Sequence, residues 1–514
     1  MTENLSFWLE KNADFTPEKI AIHFEGEAVT YKYFTKKVHD YARALKHVYG
    51  VGRGDRIAFL GMNHPDLLYL FFACARLGVI FLPLNWRLAI PEHLFILKDA
   101  TVKVLIFDAD FEKHANELRK DLPDCEFISS DFETDNWQSL QKDAKTAKGD
   151  NSNPHVSMET PFLLVYTSGT TGRPKGAILT QQAIQTNAHN SMHYSGMNDA
   201  DHILTALPMF HVGGLNIQTT PAFYVGATVT IHRRFDPKKI LKSIQTEHPT
   251  LLVLVPATIQ AVIAQPEWME TDLTSLRLVN SGSSMVPLPL IMAFHDRGVP
   301  VTQVYGSTET GPIAIYQKVE NAWKKPGSAG KVAMHCEMRI VDNNDNDVQQ
   351  GQSGEILLKG GNILYEYWGN ETATKDAIRD GWFYTGDIGY QDEDHDLWIN
   401  DRKKDVVISG SENIYPAEIE AFIHEMADIT DGVIVGKPDE KWGEVPVAVV
   451  IKEKGSYLSE IDFLERFQGQ LARYKHPKAV YFVEDLPRTA MGKVVKYEVR
   501  KLVVELNTTP RKAN

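Results

Sequence analysis

The stretch Tyr166-Thr167-Ser168-Gly169-Thr170-Thr171-Gly172-Arg173-Pro174-Lys175-Gly176-Ala177 decides how the rest of the chain is read. An apolar run, Phe162-Leu163-Leu164-Val165, precedes it and reads as a buried strand. Ile178-Leu179-Thr180 and a polar, helix-compatible segment follow. The twelve residues therefore form a loop leaving the end of a strand. Its glycines let backbone N–H groups approach an anion, and its hydroxyls can turn toward phosphate oxygens. Composition alone describes a surface loop; the order of the residues describes a phosphate cradle. Two common phosphate loops are excluded. A G-x-x-x-x-G-K-[ST] loop counted from Gly169 meets Pro174 where its second glycine belongs, and G-x-G-x-x-G is missing from the stretch.

The 514 residues are enough for more than one domain, and 43% apolar with 24% charged residues is the composition of an ordinary globular protein. A net charge of −13 argues against a nucleic-acid partner, although a local basic groove for a polyphosphate is compatible with it. Cys74, Cys125 and Cys336 are scattered and odd in number, which suits a reducing compartment and offers no metal spacing. Met1 to Ser6 lack a basic and apolar leader, so a cytoplasmic location is expected. The most apolar window, Leu67 to Leu84, contains Arg76, Gly78 and Pro83; it reads as a buried helix, a turn and a strand, with no integral membrane segment.

Upstream of the loop, an opening helix, a hairpin with its turn at Glu25-Gly26-Glu27 and a helix from about Phe34 are expected. Helices near Asp66–Leu77 and Pro91–Asp99 then alternate with strands near Val79–Pro83 and Val104–Phe107. That alternation argues for a parallel sheet with helices on both faces. Residues 140–160 read as a solvated linker, and Asp392-Glu393-Asp394-His395-Asp396 as a solvated turn, with a metal site as the lesser alternative. Near the C-terminus a helix at Pro416–His424, strands at Asp431–Gly436 and Val445–Ile451, a helix at Ser459–Tyr474 with Ile461, Leu464 and Leu471 on one face, and a strand at Val480–Val483 form a small α/β unit.

Further strings carry chemistry. They are Pro208-Met209-Phe210-His211-Val212-Gly213-Gly214, Asn280-Ser281-Gly282-Ser283-Ser284, Val304-Tyr305-Gly306-Ser307-Thr308-Glu309-Thr310-Gly311, Trp382-Phe383-Tyr384-Thr385-Gly386-Asp387, Asp401-Arg402-Lys403-Lys404-Asp405 and Met491-Gly492-Lys493. With the opening loop, and in this order, they resemble the motifs of adenylate-forming enzymes, in the acyl-CoA synthetase branch; Asn85-Trp86-Arg87-Leu88 adds to the likeness.

The resemblance implies an α/β fold: a large N-terminal domain of doubly wound sheets with an associated β-subdomain, residues 1–403, and a small mobile α/β C-terminal domain, residues 404–514, hinged at Lys404. It implies that Thr167, Ser168, Gly169, Thr170, Thr171 and Gly172, supported by Lys175, clamp the β- and γ-phosphates of ATP. Ser283 and Tyr305 would flank adenine, Thr308 the α-phosphate, and Asp387 and Arg402 the ribose. A carboxylate can accept both vicinal ribose hydroxyls at once. Glu309, with Thr170, would hold Mg²⁺, a hard cation that favours carboxylate oxygen.

His211, Val212, Gly213, Gly282 and Gly306 would line the acyl pocket, and Gly410 with Ser411 the CoA tunnel. Lys493, Glu309 and Thr308 would be catalytic. Lys493 would offset the repulsion between an attacking carboxylate and the α-phosphate. The implied reaction joins a carboxylic acid to CoA through an acyl-adenylate, releasing AMP and pyrophosphate. A medium- or long-chain fatty acid leads as substrate; the apolar character around Val212, Leu215, Leu252, Val253, Leu254 and Val255 suits an aliphatic chain and equally suits plain core strands. An aryl or arylpropenoic acid is the alternative, and loading of a carrier-protein thiol is another. An amino acid is disfavoured because no Asp lies between Ile203 and Arg234 to pair a buried ammonium. The expected assembly is a monomer or homodimer.

Overall fold

A computed structural model describes residues 4–167, 174–283, 285–409, 412–439, 442–468, 470–471, 473–489 and 492–508. Four sheets organise them. The first has seven strands, with Ile80–Pro83, Arg56–Leu60, Val104–Phe107 and Glu126–Ser129 running parallel. Pro161–Thr167 joins them in parallel through Phe81 and Leu163, and Lys175–Thr180 folds back antiparallel on it. The cradle string therefore joins the two strands of a hairpin, with Thr167 opposite Lys175. The second sheet has nine strands; its parallel centre is Val301–Tyr305, Leu278–Ser281, Leu251–Leu254, His202–Thr205 and Thr228–Ile231.

Two helices fill the space between these sheets. Pro65–Leu77 is capped by His64, which accepts from the Asp66 N–H, and ends at Gly78 with φ 71°. It is apolar all round because it is buried all round. Gln181–Ser195 is capped by Thr180 and is also deeply buried. It nevertheless carries Asn187, Asn190 and Ser191 with no exposed surface. The third sheet, antiparallel, contains Cys336–Val341, Gly354–Gly360, Trp382–Gln391 and Leu397–Arg402. The fourth contains Val407–Ser409, Glu412–Ile414, Ile429–Asp439, Gly443–Lys452 and Val480–Phe482. It packs with the helices Pro416–His424, Glu460–Glu465 and Lys496–Thr508 around two apolar clusters drawn wholly from residues after 406. The large α/β unit with its antiparallel sheet and the small unit match the expected fold class.

Several local expectations are corrected. The helix expected from Phe34 starts at Tyr31, because the Thr30 side chain accepts from the Tyr33 N–H and ends the hairpin there. Residues 140–160 are not only linker: Leu140–Thr146 is helical and buries Leu140 and Ala144. The helix expected over Ser459–Tyr474 stops at Glu465. Phe463 and Phe467 fill the core; of the expected face Leu464 and Leu471 pack against it, while Ile461 is 69% exposed. The acidic turn is ion-paired: Lys325 Nζ lies 2.8 Å from Asp392, 2.7 Å from Asp394 and 3.2 Å from Asp396. An ammonium thus supplies the cation that a metal ion would supply there. The terminal helix Lys496–Thr508 had no counterpart in the sequence reading. Among the described residues no helix is long and apolar enough to cross a membrane.

Candidate active site

Asp387 is the centre of the polar cluster. It lies in the strand Trp382–Gln391, opposite Arg402 in the neighbouring strand, so sheet register and not a turn fixes its position. Its Oδ2 accepts from the Tyr305 hydroxyl at 2.7 Å, and its Oδ1 lies 2.7 Å from Arg402 Nε. Tyr305 ends the strand Val301–Tyr305 of the other large sheet, so the cluster bridges two sheets. Burial pushes the Asp387 carboxyl up; Arg402, the Tyr305 hydrogen bond and Lys493 oppose that push. Burial works against the charge on Arg402, yet Asp387, Tyr305, Glu309 and Asp405 hold its pKa above the usual value.

Glu309 sits in a tight turn, Thr308–Thr310, closed by a hydrogen bond from the Ser307 N–H to Thr310 Oγ1 at 2.9 Å. Tyr367 donates its hydroxyl to Glu309 Oε1 at 2.9 Å, and Lys175 Nζ stands 5.5 Å from the Tyr367 ring centre. Tyr367 therefore links the base of the cradle hairpin to the Glu309 turn. The turn is held from behind by amides. Asn362 donates to the carbonyls of Thr310 and Ile313, Asn187 accepts from the Ile313 N–H, and Asn216 donates to the Gly311 carbonyl. Such groups are tolerated without exposure because each finds a partner. Gly306 allows the chain to pass: a Cβ there would lie 2.0 Å from the Pro312 carbonyl oxygen, and its φ is +156°. A Cβ at Gly282 would likewise lie 2.8 Å from the Val304 carbonyl oxygen.

His211 caps the short helix Val212–Asn216, its Nδ1 accepting from the Gly213 N–H at 3.0 Å. A neutral ring with its proton on Nε2 follows, and burial pushes its pKa down to about 4. Val212 is buried in the main core. Arg87 stacks on Trp86 at 4.4 Å and reaches 5.8 Å from the ring of Phe210, beside His211.

Lys493 approaches from the small unit. It follows Gly492, whose φ is +79° and where a Cβ would lie 3.0 Å from that of Ala257 in the large unit. Lys493 is open to solvent yet walled by protein. Desolvation, then the nearby Arg402, lowers its pKa, while Asp387 opposes them. Lys493 and Asp387, distant in sequence, thus share one field.

The structure joins Tyr305, Asp387, Arg402, Glu309 and Lys493 in one electrostatic cluster, pairs Thr167 with Lys175, and sets Gly306 and Thr308 in the chain segment between Tyr305 and Glu309. Ser283 is exposed with φ +70° just past Gly282, and Lys404 lies in an exposed turn. Ser168, Gly169, Thr170, Thr171, Gly172, Gly410 and Ser411 fall outside the described residues. Tyr367, Asn187, Asn216 and Asn362 were missed in the sequence. For Asn187 the one available signal was its place in a polar helix stretch, Gln181–Ser195, that leads out of the cradle hairpin; the other three had none.

Residues 9–368 match the AMP-binding enzyme family, and residues 418–493 match the AMP-binding enzyme C-terminal domain. The chain is 46% identical over 503 residues to an indoleacetate–CoA ligase of Aromatoleum aromaticum, covering 97% of this chain and 98% of that one. It is 36% identical over 503 residues to a feruloyl-CoA synthase of an Amycolatopsis species, covering 97% and 99%. Among solved structures it resembles the o-succinylbenzoate CoA synthetase of Bacillus subtilis bound to its acyl-adenylate intermediate, with a TM-score of 0.86, 31% identity, and coverage of 96% and 97%. The chain belongs to the AMP-binding enzyme family, within the adenylate-forming superfamily, and is an ATP-dependent acid–CoA ligase that works through an acyl-adenylate.

Proposed function

We propose that the acid is aromatic: an arylacetic, arylpropenoic or related aryl acid. The observation that carries this is the 46% identity, over nearly the full length of both chains, to a ligase named for indoleacetate. The feruloyl and succinylbenzoate relatives agree with it. The fatty-acid expectation loses part of its ground in the fold. Leu252 and Leu254 face a core with Ile240, Ile244 and Phe294, on the opposite side of their strand from the cluster that holds Val212 and Leu215. They are structural residues, so only half of that apolar run can face the side of His211.

In this reading the hairpin loop after Thr167 holds the β- and γ-phosphates, and Lys175 supports it against Tyr367. Ser283 and Tyr305 flank adenine, and Asp387 with Arg402 takes the ribose hydroxyls. Thr308 contacts the α-phosphate. Glu309, a hard carboxylate donor steadied by Tyr367, suits Mg²⁺, with Thr170 as its companion; the ion would neutralise phosphate charge when bound. The substrate carboxylate passes His211 and Gly306, and His211 stays neutral there and adds no competing charge. Lys493 stabilises charge on the equatorial oxygens as the carboxylate oxygen attacks phosphorus and pyrophosphate leaves. The small unit, residues 404–514, then turns about Lys404, and Gly410 and Ser411 would line the path of the CoA thiol, which displaces AMP from the acyl carbon.

The test is pyrophosphate release with ATP, Mg²⁺ and CoA across indole-3-acetate, ferulate, cinnamate, benzoate, octanoate and palmitate. The proposal expects kcat/KM for the best aryl acid to exceed that of either fatty acid at least about tenfold, the discrimination expected of one mismatched pocket contact. A fatty acid that outruns every aryl acid refutes it. Replacing CoA by a carrier-protein thiol should abolish the second step.

A further inference from the structure

Asp401 stands at the end of the strand Leu397–Arg402, just before the pivot proposed at Lys404. Its residue is 8% exposed and its carboxylate serves three groups. Oδ1 accepts from the Arg402 N–H at 2.7 Å. Oδ2 accepts from the Ala417 N–H at 2.9 Å and lies 3.7 Å from Lys496 Nζ. Ala417 is in the first turn of the helix Pro416–His424, where backbone N–H groups lack partners within the helix. Lys496 opens the terminal helix and lies one helical turn beyond Lys493 in sequence. Its Nζ also meets Glu420 Oε1 at 3.0 Å, and that oxygen accepts from the Ile434 N–H at 2.8 Å.

The two distant partners of Asp401 both lie beyond the pivot. A rigid turn of the small unit about Lys404 keeps Lys496 with Glu420, and Arg500 with Asp405 at 2.8 Å, since those partners move together. It separates Asp401 from Ala417 and Lys496. The Asp401 contacts therefore favour one orientation only, that in which Lys493 shares the field of Asp387 and Arg402. Glu420 keeps the Lys496 ammonium compensated in either orientation. Burial works against that ammonium, while Glu420, Asp401 and Asp405 hold its pKa up.

We propose that Asp401 is an orientation latch: a positioning residue for acyl-adenylate formation that holds the small unit through Lys496 and the start of the helix Pro416–His424. It rests on the ligase reading and pivot given above. Turning releases the carboxylate to water, so lost contacts are offset in part by hydration, and the latch biases the two orientations without locking one.

Two variants test it. Asp401→Asn retains an acceptor for Ala417 and loses the charge that faces Lys496; Lys496→Met removes the cation. Each half-reaction is measured alone: ATP–pyrophosphate exchange without CoA, and thioester formation from supplied acyl-adenylate and CoA. Both variants should slow exchange about 5–150-fold in kcat, the usual size of coupling between two states, with little change in the KM for ATP. Thioester formation should persist. Orientation is read separately by energy transfer between dyes at Phe15→Cys and Tyr457→Cys, positions 82% and 98% exposed, in a Cys125→Ser, Cys336→Ser background. The distance distribution should shift away from the wild-type one in both variants without any substrate, so this readout stands even if the acid has been assigned wrongly. Unshifted distributions in variants that melt like the wild type, or equal losses in both half-reactions, overturn the latch.

Discussion

Gly306→Ala probes the link between backbone packing and catalysis. The added Cβ would lie 2.0 Å from the Pro312 carbonyl oxygen and 2.4 Å from Thr310 Oγ1, where real contacts of this kind are essentially never below 3.0 Å. The segment must therefore open by about 1 Å, and it is the segment that carries Thr308 and Glu309. The amides of Asn187, Asn216 and Asn362 resist that movement from behind, because each would lose a bond to the turn. Overpacking of this kind costs about 1–3 kcal/mol of stability. A displacement of about 1 Å at reacting groups costs about a hundredfold in rate. ATP–pyrophosphate exchange with the best aryl acid should thus fall about a hundredfold in kcat, while the melting temperature drops only modestly. Exchange within about threefold of wild type, with an unchanged melting temperature, would refute the claim that this close approach fixes Glu309.

Four further outcomes are expected. Lys493→Ala should abolish adenylate formation, a loss of roughly 3–4 kcal/mol in barrier, yet spare thioester formation from supplied acyl-adenylate; equal loss in both steps contradicts its assignment. Tyr367→Phe removes one hydroxyl bond to Glu309, about 0.5–1.5 kcal/mol, and should raise the Mg²⁺ concentration needed for half-maximal exchange up to about tenfold; an unchanged requirement separates Tyr367 from the metal. Because the Lys493 pKa is lowered, its charged form is lost at a lower pH than an ordinary lysine's, so exchange should decline on the alkaline side below pH 10.5, and thioester formation should lack that limb. His211 has a folded-state pKa near 4 against an unfolded value of 6.5, so below pH 6.5 the unfolded chain binds the extra proton and stability falls toward pH 4, by about 3 kcal/mol in all. His211→Asn should flatten that part of the denaturation profile relative to wild type; an identical slope argues against a buried neutral ring.

The site was legible wherever its chemistry lies in one short string. Tyr305 through Gly311 and Gly492-Lys493 each hold their candidate side chain beside a glycine that a close neighbour requires, and Gly386 precedes Asp387 with a positive φ. Contacts between strings were not legible. Nothing near Glu309 in sequence points to Tyr367, and nothing near Lys496 points to Asp401, because sheet register and the docking of the small unit bring them together. Spacing also misled in places. Spacing put Ile461 with Leu464 and Leu471, but the core takes the two leucines together with Phe463 and Phe467, which pack on Phe482 and Phe422, and leaves Ile461 outside. The acid was hidden for a related reason: every residue of Leu251–Leu254 is buried, so apolar character there does not separate a core strand from a pocket wall.

The most direct test of the central claim uses an aryl acid labelled with oxygen-18 in both carboxylate oxygens, incubated with ATP, Mg²⁺ and CoA. If the acid attacks the α-phosphate and CoA then displaces AMP, one labelled oxygen leaves with AMP, and the thioester carbonyl keeps the other. AMP free of label, or label carried away in phosphate with ADP as product, would contradict the acyl-adenylate route for this chain.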